Sequence, residues 1–194
     1  FCWDLNNAAY VPLSCFSSQE RQKMKEIFND LFSSGNWIAH NFKFDAKFLR
    51  HQGYTVAQQF EDTLILAHLL ESSGSLDLKT LANKILSWPM KSFKEVLTDH
   101  KVESFDKLPL EQQSRYACLD AAATFYLYEH FQSSLKKFPK LENLYHLIEK
   151  PFVKTLVSME LRGVYLDTSY LLNLSKDFIE QKQLLQQQIY ALAG

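Results

Sequence analysis

Residues 37–45 read Trp37-Ile38-Ala39-His40-Asn41-Phe42-Lys43-Phe44-Asp45. Three apolar residues in a row are too few for a helix and suit a short buried strand. The chain then turns straight into a helix start that runs from Asn41 to Leu49. An acid one turn into a helix, just past a strand end, stands where α/β folds commonly place their sites.

The flanks extend this reading. Ala8 to Cys15 is aromatic and β-branched and reads as a strand, with Asn6-Asn7 as a turn, so a hairpin is expected from Phe1 to Cys15. Ser17 with Glu20 predicts a capped helix whose apolar stripe is Met24, Ile27, Phe28, Leu31 and Phe32, ending at Ser33-Ser34-Gly35. Further helices are expected from Asp62 to Leu70, broken at Ser73-Gly74-Ser75, and from Leu76 to Leu86, stopped by Trp88-Pro89. Lys91 to Leu108 is polar and irregular, with one short helix around Phe93 to Leu97. Pro109 suits a first helical position, and a long helix follows to about Leu135. Phe138-Pro139 is the best internal boundary; beyond it Leu141–Leu161 and Thr168–Leu192 read as helices joined by a turn over 162–167. The expected class is α/β, a mixed sheet with flanking helices over 1–138 and an all-helical tail over 139–194.

Bulk properties narrow the function. Hydrophobic residues make up 46% and charged residues 22%, and five Gly with five Pro argue against a disordered chain. A formal net charge of −1 gives no support for tight autonomous DNA binding, but leaves room for a nuclease whose substrate a neighbouring domain delivers. Cys2, Cys15 and Cys118 have neither zinc spacing nor an even count, so a reducing cytoplasm is the default. No apolar run reaches membrane-spanning length, so no membrane partner is expected. Phe1-Cys2-Trp3 reads as the tail of a strand and there is no initiator Met, which suggests a fragment.

Two residue pairs carry chemistry. Asn41 and Asp45 stand four apart at a helix start, and Tyr116 and Asp120 stand four apart within a helix, so each pair projects from one face. Ala121-Ala122-Ala123 lets the second helix pack close to a sheet. Carboxylates with no Arg or Lys beside them call for a cation, and hard oxygen donors suit magnesium or manganese. Two such ions support phosphodiester hydrolysis, with Tyr116 aligning the attacking water.

At this level of detail the chain resembles the 3′→5′ exonuclease region of the family A DNA polymerases. His40 to Asp45 resembles the second exonuclease motif, followed by Leu49, His51, Gly53-Tyr54 and Glu61-Asp62-Thr63-Leu64. Leu76 to Ala82 resembles the family's "LD-x-LA" helix, and Arg115 to Ala121 the tyrosine-type third motif. Ile148 to Asp167 is similar to the opening of the polymerase domain, which free-standing exonucleases lack. The resemblance implies a ribonuclease H-like (DnaQ-like) fold over 1–138, followed by the base of the polymerase thumb. It implies that Asp120 ligates the more tightly held of two Mg2+ (or Mn2+) ions, that Asp45 holds the second partly through water, that Tyr116 orients the water, and that Asn41 contacts the departing nucleotide. The partner would be a single-stranded DNA 3′ end, with the polymerase domain in cis and a monomeric protein.

Departures accompany the match. The family's first motif, D-x-E, lies before a stretch that resembles Phe1 to Pro12, so the chain is expected to start after it and to lack a complete metal site; Asp4-Leu5-Asn6 is not a substitute. Leu119 replaces an acid often found before the third-motif aspartate. Two other readings stand beside the enzyme: a catalytically inactive exonuclease-like spacer, and a stand-alone exoribonuclease of the ribonuclease D type, against which Ile148–Asp167 argues. Asp62 is expected to cap a helix, His40 to be a hydrogen-bonded structural residue, and Phe28, Phe32, Phe42, Phe44, Phe48 and Phe125 to be core by their helical spacing.

Overall fold

The computed structural model describes residues 1–4, 6–71 and 74–193. Two strands, β1 (Asn36–Ala39) and β2 (Gln59–Asp62), pair in parallel with Asn36 opposite Gln59 and Ala39 opposite Asp62. Helix α1 (Ser18–Ser34) precedes β1, and α2 (Phe42–His51) connects the two strands. Then come α3 (Thr63–Leu70), α4 (Leu78–Leu81), α5 (Phe93–His100) and the long α6 (Leu110–Leu135). After it follow α7 (Pro139–Leu144), α8 (Lys150–Arg162) and α9 (Thr168–Ala193).

The core explains this order. Phe42, Ala46, Val56, Ala57 and Phe60 form one buried cluster with Val153 and Val157, and the rings of Phe42 and Phe60 stack with centroids 3.8 Å apart. Leu66, Ala67, Leu81, Leu127, Phe131, Leu135 and Tyr145 form the other. Leu127, Phe131 and Leu135 recur every four residues, which gives α6 one apolar face, and α6 packs against α3 and β1. Each such side chain stabilises the fold by about 1.5–3 kcal/mol when buried. A first compact unit runs from Phe1 to Met159 and a second begins at Glu160. In the second, α9 has no buried residue.

Several local expectations hold. Ser17 and Glu20 form the reciprocal capping box. Helix α6 has the expected bounds, although Pro109 stands at its N-cap rather than at the first helical position. Gly163, at φ +74°, turns the chain between α8 and α9 in a conformation other residues rarely adopt.

Other expectations need correction. Ala8–Cys15 is not a strand: a single antiparallel bridge joins Cys2 to Ala8, and Leu13–Cys15 is a 3-10 turn. Pro12 has no N–H to donate to a ladder and instead opens that turn. In α1, Phe28 and Phe32 are buried while Ile27 and Leu31 are exposed. Leu76–Leu86 is not one helix but a turn of α-helix followed by a π turn, Ala82–Leu86. Strand β2, with Glu61 and Asp62 both buried, was not expected. Expectations at Leu5, Ser73 and Gly194 lie outside the described residues.

Candidate functional site

Both parallel strands end at one edge, where Ala39 lies opposite Asp62. Asp62 is 2% exposed and organises this edge. Its Oδ1 accepts from Asn41 N and Leu64 N, both at 3.0 Å, and its Oδ2 accepts from Phe42 N at 2.9 Å. It therefore caps α3, as expected, and also satisfies the first amides of α2. Burial raises its carboxyl above the ordinary value, and those amide donors act against the rise. His40 Nδ1 lies 2.9 Å from Thr63 Oγ1, which donates to Ala39 O. Burial lowers the imidazole, with Asp62 opposing.

Asn41 stands at the N-cap of α2 with φ 68°, ψ 57°, a left-handed conformation that asparagine tolerates better than most residues. Its side chain makes no capping bond, because the carboxylate of Asp62 does that work. The Asn41 side chain thus plays no part in capping α2.

Asp45 lies in the first turn of α2 and is exposed. The protein around its carboxyl, and then the charge of Asp62, push it up to about 6. Solvent reaches this group, so water screens part of both effects. A carboxyl disfavoured by a like charge is the environment that a bound cation relieves. Phe44 and Phe48 flank it on the open side of α2, 64% and 60% exposed. This corrects their assignment to the core: the buried stripe of α2 is Phe42 and Ala46, and positions 44 and 48 fall on another face.

Tyr116 and Asp120 sit one turn apart on α6 and meet at Lys79 of α4. The Lys79 ammonium pairs with Asp120 Oδ1, and it lies 4.3 Å from the centre of the Tyr116 ring. The Lys79 and Asp120 side chains are 18% and 29% exposed. Burial pushes the ammonium down to about 8 and Asp77 acts against it; the Asp120 contact likewise favours the charged form. Asp77 fixes α4 by accepting from Thr80 N at 3.0 Å and Thr80 Oγ1 at 2.6 Å. Tyr116 also packs edge-on against Phe93 and Phe105, and burial raises its phenol, so it keeps its proton at neutral pH.

The structure thus joins Tyr116 with Asp120, and Asn41 with Asp62. Lys79 is a neighbour of Tyr116 and Asp120 that the sequence reading missed, and it corrects the premise that no Lys stands beside Asp120. Among the described residues no group of three or more His, Cys, Asp and Glu side chains is placed to hold a metal ion. Asp45 and Asp120 are nevertheless of the right kind. Mg2+ keeps several waters and takes one or two carboxylates together with substrate phosphate oxygens.

The family model of the DNA polymerase A 3′-5′ exonuclease matches residues 3–136. DNA polymerase I of Borreliella burgdorferi is 34% identical over 165 residues, 84% of this chain and 18% of that protein. DNA polymerase I of Chloroflexus aurantiacus is 36% identical over 158 residues, 81% and 17% of the two chains. That of Synechocystis is 28% identical over 194 residues, 97% and 20%. The chain spans a fifth or less of the length of these relatives.

Proposed function

The chain belongs to the DNA polymerase A 3′-5′ exonuclease family, whose fold is ribonuclease H-like, and from that premise we propose that it removes nucleotides from the 3′ end of DNA by divalent-metal-dependent hydrolysis. The observation that carries the proposal is the meeting of Tyr116 and Asp120 at one cation, the ammonium of Lys79.

In this reading Asp45 and Asp120 would hold the divalent ions, Mg2+ or Mn2+, two of them in the complete site. When bound there, such ions would supply charge neutralisation and polarisation of the scissile phosphate. The chain's own residues do the rest. Tyr116, with its phenol protonated, holds the attacking water by a hydrogen bond. The Asn41 side chain, unused as a cap, contacts the departing nucleotide. Phe44 and Phe48 offer unpaired bases an apolar stacking surface next to Asp45. The working protein is the longer polymerase, a cytoplasmic monomer, with residues 1–138 as the exonuclease domain and its mixed sheet, and 139–194 as the helical opening of the polymerase domain.

A 5′-labelled single strand, given to the polymerase-length protein with divalent ion present, tests this. Shortening one nucleotide at a time from the 3′ end is expected; an intact strand, or loss from the 5′ end, contradicts the reading.

One observation favours a second reading, the inactive spacer. An ammonium held on Asp120 neutralises that carboxylate without any metal. In that case divalent ions leave the protein's thermal stability unchanged.

A further inference from the structure

We propose that Tyr145 is a positioning residue for the first turn of α2, acting through the Asp62 peptide. The inference rests on the exonuclease reading for its functional consequence and on hydrogen bonds alone for its structural one.

Tyr145 lies beyond the residues that the exonuclease family matches, yet it is 1% exposed within the core. Its hydroxyl accepts from Asp62 N at 2.9 Å and donates to Glu61 Oε2 at 2.8 Å. Lys150 Nζ donates to the other oxygen, Glu61 Oε1, at 2.9 Å. Burial and the adjacent carboxylates hold the phenol protonated, so it keeps both roles. Four residues thus form a closed polar chain at the end of β2, and no buried side-chain nitrogen or oxygen among the described residues lacks a partner.

The consequence runs through one residue. The peptide N–H of Asp62 is held by Tyr145, while the carboxylate of Asp62 holds the amides of Asn41 and Phe42. Those amides set where Asn41 and the first turn of α2 stand, and Asp45 is in that turn. Phe42 adds a second anchor by stacking on Phe60, the residue two before Asp62. A residue beyond the span that the exonuclease family matches therefore aligns Asn41 and the first turn of α2.

The test compares Tyr145→Phe, which removes only the hydroxyl, with Val153→Ala, which loosens the same core away from this network. Hydrogen exchange at the Asn41 and Phe42 amides is the direct readout. Tyr145→Phe is expected to speed exchange there about tenfold relative to Val153→Ala at matched global stability. In the polymerase-length protein it is also expected to lower kcat for 3′-terminal release about tenfold, with KM for single strands within twofold. Unchanged exchange in Tyr145→Phe, or an equal change in both variants, overturns the proposal, as does faster exchange with undiminished kcat. If the wild type releases no nucleotides, the exonuclease reading falls, and exchange still decides whether Tyr145 positions α2.

Discussion

The ammonium of Lys79 pairs with the carboxylate of Asp120 on the face of α6 that also carries Tyr116, whose ring it approaches to 4.3 Å. A fixed positive charge therefore stands where the proposed chemistry needs a divalent one. The two compete for the same oxygen, and the competition can be measured.

Replacing Lys79 by Gln removes the competitor and leaves a side chain of similar length. The midpoint of a Mn2+ titration, read by electron paramagnetic resonance, is expected to fall about fivefold, equivalent to about 1 kcal/mol for a mostly buried pair that water still reaches. A midpoint that rises shows instead that Lys79 holds Asp120 in its ligating position.

Asp45 predicts a pH dependence with a defined sign. Its carboxyl is raised from 3.8 to about 6, so between these values the folded protein binds more protons than the unfolded one. Its contribution to stability is therefore greatest below 3.8, falls as pH rises to about 6, and is level above. Asp45→Asn removes that fall. After solvent screening the gain is about 1 kcal/mol, or about 2–4 °C in Tm at pH 7.5 without divalent ions, and no gain is expected below pH 3.8. In the wild type, Mn2+ binding weakens as pH drops through about 6, because the proton and the metal use the same oxygens. Calorimetric melts at three pH values check both statements.

Much of this arrangement was legible from residue pattern, and the parts that were not have physical reasons. The β1–α2 turn and the extent of α6 follow from short apolar runs, caps and four-residue periodicity. Strand β2 escaped because Glu61 and Asp62 are buried acids, and only Tyr145, Lys150 and the α2 amides, distant in sequence, make them tolerable there. Phe44 and Phe48 were assigned to the core by helical spacing, but the stripe that is buried is the one that includes Phe42 and Ala46, and it excludes them. Lys79 carried no local signal, since a lone Lys in a short helix is usually solvated and its partner lies 41 residues further on. The pairs Asn41 with Asp45 and Tyr116 with Asp120 were legible from helical spacing; which atoms surround them was not.

Asp62 predicts the largest effect on stability. Asp62→Ala leaves the amides of Asn41, Phe42 and Leu64 without their acceptor, at about 1 kcal/mol or more each. Release of a buried carboxyl with a raised value offsets part of that. A net loss of about 3 kcal/mol, or about 6–12 °C in Tm, is expected, and Asp62→Asn, which keeps a carbonyl acceptor, should lose less. Denaturant melts of the two variants give the comparison.

The most direct test of the central claim is Asp120→Asn in the polymerase-length protein, assayed for 3′-terminal nucleotide release with Mg2+ and for primer extension in the same preparation. The account predicts release at least a hundredfold slower with extension unchanged. Wild-type release by Asp120→Asn would contradict it.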